Sequence, residues 1–154
     1  MKKESGNMWR IYRLIDFIRD IPKEIKWFFQ RGFRGYSDRD VWAMDIWFEN
    51  TIIPMLEQLQ KIKHGYPMDM TEEQWDITLE NMINCFKEST DEYCSEKNEY
   101  EEEYLNSIYE DNQEGFKKIR DKWLDREEKI ADYKTHMKDK AFKLFSKHFY
   151  SLWD

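Results

Sequence analysis

The chain has 154 residues, 40% hydrophobic, 37% charged and 17% aromatic, with a formal net charge of −7. That aromatic content excludes a disordered polymer, that charge excludes an integral membrane protein, and the length suffices for one domain with a true core. Five Gly and three Pro are too few for the turns of a sandwich or barrel, which leaves long helices.

Met8 to Arg19 carries Trp9, Tyr12, Ile15 and Phe17/Ile18 at helical spacing with Arg10, Arg13 and Arg19 between them, which predicts a short amphipathic helix. Ile21-Pro22 is expected to end it. Pro22 equally suits the first turn of a next helix, Lys23 to Gln30, which Gly32 and Gly35 then stop. The interleaving of basic residues with Trp and Phe in WRIYRLIDFIRDIPKEIKWFF is that of a membrane-surface helix. Asp16, Asp20 and Glu24 weigh against it, and the expectation is packing onto the core.

Ser37 followed by Asp40 is close to a capping box, so a helix starts near Asp38. Its apolar residues, among them Val41, Trp42, Met44, Ile46, Trp47, Phe48, Ile53 and Leu56, are dense enough for a central, mostly buried helix reaching about Lys63. Pro54 is expected to kink it near Asn50. His64-Gly65-Tyr66-Pro67 ends it, with Gly65 as C-cap. Thr71 with Gln74 is a second capping box, opening a helix with Trp75, Leu79, Met82, Ile83 and Phe86 on one stripe.

From Asp91 the chain turns acidic, yet Tyr93, Tyr100, Tyr104 and Ile108 recur through it, and Asn112 with Gly115 marks a turn. Phe116, Ile119, Trp123, Ile130, Tyr133, Met137, Ala141, Leu144 and His148 then hold a near-heptad stripe. The expected fold is all-α: a single domain, residues 1–154, forming a compact bundle around the central helix 38–63, with an acidic helical hairpin, 91–135, inserted or projecting. The hairpin's narrow stripe is to be buried by pairing or by self-association into a homo-oligomer.

Function classes narrow by sign and motif. Residues 1–40 hold ten Lys/Arg against six Asp/Glu, and residues 41–154 fifteen against twenty-six. An acidic body of this kind excludes general nucleic-acid binding. Cys85 and Cys94 have no second pair for zinc and read as free thiols in a reducing compartment. No signal peptide or spanning segment is apparent, so the protein is expected to stay in the cytoplasm. Neither a nucleophile elbow nor a Cys–His neighbourhood occurs, and no cofactor or catalytic residue is assigned.

Two stretches can carry chemistry. In RGFRGYSDRDVW, Arg31, Arg34 and Arg39 bracket Gly32 and Gly35 ahead of a helix N-terminus, so they can hold a phosphate. Tyr36, Trp42 and Tyr66 offer faces for a base to stack on, and Asp45 and His64 complete the candidate ligand contacts. The competing reading makes Gly32 and Gly35 a turn and Ser37 a cap, with the arginines pairing to Asp38, Asp40 and Glu49. The spacing matches neither a P-loop nor a dinucleotide fingerprint. The second stretch is the carboxylate stripe Asp38, Asp45 and Glu49 around Trp42, which can ligate a divalent metal or do acid–base work in an enzyme. Without a helical Glu-x-x-His, a paired structural carboxylate is the expectation and no metal ligand is assigned.

QRGFRGYSDRDVWAMD, KHGYPM, MTEEQWDITLENMINCF and the terminal FKLFSKHFYSLWD together resemble a family of small helical proteins widespread in tailed-phage genomes and prophages. The likeness covers residues 22–87 and 140–154, and the acidic hairpin departs from it. It implies a phage accessory protein acting in the bacterial cytoplasm and brings no catalytic residues. The leading expectation is a non-catalytic binding protein for a host or phage macromolecule. The alternative is an anti-defence sponge for a nucleotide-like signal in the Arg/aromatic turn, and behind it a metal-dependent enzyme using the Asp45/Glu49 face.

Overall fold

The computed structural model of the chain describes residues 5–109 and 112–153, with side chains from residue 20 onward. Six α-helices occur among them and no strand: α1 Ser5–Arg34, α2 Asp38–Trp42, α3 Met44–Ile62, α4 Glu72–Glu88, α5 Glu101–Ser107 and α6 Gln113–His148, then a 3-10 turn, Phe149–Ser151. The all-α bundle expected from the sequence is thus the fold. The helices sort into two compact units, Met1–Phe48 and Glu49–Asp154.

In the first unit, α1 is one helix of 30 residues where two were expected. Pro22 lies inside it, exposed, where water can take the carbonyl its missing N–H leaves unpaired. Gly32 is helical, and Gly35 makes the stop. It sits at φ 80° with its amide donating to the Arg31 carbonyl at 2.9 Å, the left-handed C-terminal position that glycine fills without penalty. The expected stripe of Trp9, Tyr12, Ile15, Phe17 and Ile18 lies outside the described side chains.

The helix expected over 38–63 is two. Ala43 leaves helical geometry (φ −134°, ψ 62°), and its carbonyl accepts the Trp47 amide at 2.9 Å, starting α3 afresh. Pro54 stays within α3, so the interruption falls eleven residues earlier than the proline. The expected burial is also corrected. Val41, Trp42, Met44, Ile46 and Met55 are exposed, Trp47 and Phe48 half-buried, and in α3 only Ile53 and Leu56 are buried. Apolar residues ring this helix, but its neighbours cover one side. Gly65 has no left-handed geometry, and α3 ends at Ile62 before an irregular stretch.

The second unit holds the hydrophobic core. Thr71 and Gln74 form the expected capping box of α4: the Gln74 amide donates to Thr71 Oγ1 (3.2 Å) and the Thr71 amide to Gln74 Oε1 (2.9 Å). Trp75, Leu79, Met82, Ile83 and Phe86, spaced by three and four, are buried against α6. Phe86 meets Phe142 edge-on at 5.4 Å and Phe145 at 6.1 Å, and Trp75 meets the buried His148 ring at 5.6 Å. Each such side chain contributes about 1.5–3 kcal/mol by leaving water. Lys87–Glu57 (2.7 Å) ties α3 to α4, and Lys63, just past the end of α3, pairs with Asp76 of α4 (2.9 Å).

The acidic segment packs on the same α6. Its stripe is covered in part by pairing within the chain: Tyr104 stacks on Trp123 at 4.7 Å, and Ile119 and Ile130 are buried, while Tyr93 and Ile108 are exposed. Arg126 gathers Glu96 (2.6 Å), Glu99 (2.8 Å) and the Lys97 carbonyl, while Asn98 donates to the Trp123 carbonyl (3.0 Å). The two arms are unequal, since α5 has seven residues and the other arm is the first half of the 36-residue α6. Asn112 caps α6 by accepting the Gly115 amide at 3.0 Å.

Candidate functional site

The turn RGYSDRD is built by ion pairs between α1 and α2. Ser37 is buried at the start of α2, and its amide donates to Asp40 Oδ2 at 2.7 Å. Its hydroxyl stands in the capping position short of hydrogen-bond geometry. Arg31 reaches across from α1 and grips Asp40 with two donors, Nε to Oδ2 at 2.8 Å and Nη2 to Oδ1. This bidentate fork, together with the Ser37 amide, holds the nearly buried Asp40 carboxyl well below the usual carboxylate range and raises the Arg31 guanidinium above its own.

The other charges close the same contact from outside. Gln30 and Lys26 each donate to Asp38 Oδ2 at 2.8 Å, and these two bonds hold its carboxyl below the ordinary carboxylate pKa. Gln30 Oε1 takes the Asp38 amide at 3.0 Å, and Arg34 reaches Asp38 at 3.4 Å. Arg39 pairs with Glu24 at 3.1 Å and lies 5.3 Å over the Trp27 ring.

Of the candidate ligand contacts, Arg31, Arg34, Tyr36 and Arg39 therefore meet at one turn, each arginine facing a carboxylate of the chain. The partners are Asp40, Asp38 and Glu24, so two of the three acids named by the pairing reading are used and Glu24 stands where Glu49 was expected. The amides of Ser37 and Asp38 are likewise engaged by side chains. Trp42 is 94% exposed and Asp45 is exposed in the first turn of α3. His64 and Tyr66 belong to the second unit. There Tyr66 lines a hollow of about 390 Å³ with Asp69, Tyr150 and Trp153, and Glu49 lines another with Lys87 and Tyr93. Among the described residues, no three His, Cys, Asp or Glu side chains come together as a metal-ligand set.

Sequence reasoning missed the surface that the turn supports. Tyr36, Asp40, Val41, Met44 and Trp47 line a hollow of about 280 Å³ within the first unit, its wall mostly apolar and its charged member already neutralised by Arg31. Val41 and Met44 read as core because nothing local separates an exposed apolar residue from a buried one. The spacing Arg31 to Asp40 across a glycine turn was the available signal, since it matches a fork from one helix end to the N3 position of the next. No family model, curated protein or solved structure matches the chain.

Proposed function

We propose that this chain is a non-catalytic binding protein that holds a host or phage protein against α2 and the start of α3. The observation that carries the reading is Trp42, 94% exposed, next in the chain to Val41, which lines the apolar hollow with Tyr36, Met44 and Trp47. Trp, Tyr, Met and Arg are the residues enriched in protein-binding hot spots, and an exposed cluster of them on a monomer marks an interaction surface. The hollow is of a size for one or two partner side chains, smaller than the ~300–1,000 Å³ usual for drug-sized ligands. Beneath it the Arg31–Asp40 fork keeps the backbone in place before a partner arrives, which lowers the ordering cost of binding. The likeness to phage proteins makes the bacterial cytoplasm the proposed place of action.

A photo-crosslinking amino acid at Val41, with Trp42 retained, tests this in phage-infected cells. A discrete protein adduct that disappears with Trp42→Ala, and is absent when the probe replaces the exposed Tyr109, supports the reading. Adducts unaffected by Trp42→Ala refute it. A thermal shift with nucleotides that Arg34→Ala abolishes would replace it with the phosphorylated-ligand alternative.

A further inference from the structure

The contact between α1 and α2 uses the polar side of α1. Glu24, Lys26, Gln30, Arg31 and Arg34 all bond to α2 residues, and they leave the opposite side of α1 bare. That side carries Ile21, Ile25, Phe28, Phe29 and Phe33, which successive steps of four, three, one and four residues place on one face of a helix. All five are exposed, Phe28 at 72% and Phe33 at 88%. In the sequence the same spacing runs back through Ile18 and Leu14. A helix of 30 residues is about 45 Å long, so the amphipathic pattern is sustained well beyond what one small partner groove covers.

We infer that α1 is an interfacial helix that docks on an anionic lipid surface through Ile21, Ile25, Phe28, Phe29 and Phe33. Charge selects this occupant. Residues 1–40 hold ten Lys/Arg against six Asp/Glu; Lys23, Lys26, Arg31, Arg34 and Arg39 pair with Asp20, Asp38, Asp40 and Glu24, so the surplus lies with Lys2, Lys3, Arg10, Arg13 and Arg19 against Glu4 and Asp16. A surplus of cations beside a stripe of Ile and Phe is the composition of helices that lie in the headgroup plane, and it attracts acidic lipids. No described helix is long and apolar enough to cross a membrane, so the helix lies on the surface instead of spanning it. This surface is separate from the one around Trp42, and neither needs the other.

Vesicle co-sedimentation of the full chain tests it, using phosphatidylglycerol–phosphatidylcholine vesicles against pure phosphatidylcholine. The expected result is binding to the anionic vesicles, at least tenfold weaker on pure phosphatidylcholine and weakened when salt rises from about 0.1 to about 0.5 M. Phe28→Ser with Phe33→Ser should lower the binding at least tenfold with an unchanged melting curve. Phe33→Leu should keep it, and so should Trp42→Ala. Absence of binding by the intact chain, equal binding to both vesicle types, or full binding by the double serine variant each overturns the assignment. A dimer in light scattering that the double variant abolishes, without vesicle binding, would give the face to a second copy. If the variant instead loses a protein crosslink made from Phe29, also without vesicle binding, the occupant is an acidic protein.

Discussion

The two units of this chain are held together by opposite means. In Glu49–Asp154 the apolar residues of α4 and α6 face one another, and ion pairs such as Lys87–Glu57 lie at the edge. In Met1–Phe48 the charged residues of α1 and α2 face one another, and the described apolar residues lie largely outside. Local apolar density is the same in EIKWFFQRGF and in TLENMINCFK, five residues of ten in each, so density alone does not decide burial. What decides it is whether a second apolar stripe exists for the first to pack on. Helix α6 offers one to α4, while the five-residue α2 offers α1 a row of carboxylates.

The sharpest test of this contrast is truncation of an aromatic residue in each unit. Phe86→Ala or Trp75→Ala should cost about 3–5 kcal/mol, since both are nearly inaccessible and packed on α6. Trp42→Ala should change stability by less than about 0.5 kcal/mol. Chemical denaturation followed by circular dichroism reads both, and a large loss with Trp42→Ala would end the description of unit one.

Next in size is the ion pair. Asp40→Ala leaves Arg31 and the Ser37 amide without their acceptor and should cost about 2 kcal/mol, confined to unit one. Hydrogen exchange should speed at residues 37–42 and stay unchanged at residues 79–86. Equal acceleration in both segments would show the units to be one cooperative body.

Acid should separate the units in order. Burial pushes the His148 ring below its ordinary value of 6.5, with Lys147 adding to the shift and Asp69 opposing it. As pH falls, the unfolded chain takes up this proton first, so the α4–α6 core weakens from near pH 6.5 down to the depressed value. Asp40 is held below the usual range, so its contribution is whole above about pH 4 and is lost only as pH falls further. Core melting should soften in mild acid while α2 keeps its protection, and His148→Gln should flatten that first phase. At the α6 cap, Asn112→Ala should cost about 1 kcal/mol.

Much of the second unit was readable because its signals are local. The Thr71–Gln74 box and the stripe from Trp75 to Phe86 each lie within a few turns, and each appears as read, while Asn112 and Gly115, read as a turn, are the cap and first turn of α6. The hairpin was read from aromatic spacing, and Tyr104 on Trp123 is that spacing closed. At the candidate site the residue types and the turn were legible, as was the option that the arginines pair internally. Glu24 as the partner of Arg39 was not, because fifteen residues and a helix end separate them.

The amino-acid sequence by itself therefore determined the all-α class, the capping boxes at Ser37 and Thr71, the stop at Gly35 and the stripe of α4. These follow from backbone sterics and from periods of three and four residues, which act over one or two turns. Only the tertiary structure decided that Pro22 lies inside a helix, that the chain breaks helix at Ala43 and not near Asn50, and that Trp42, Phe28 and Phe33 face outward while Trp75 and Phe86 do not. Periodicity orients a side chain on its own helix, but whether that side is covered depends on which distant element supplies a matching surface.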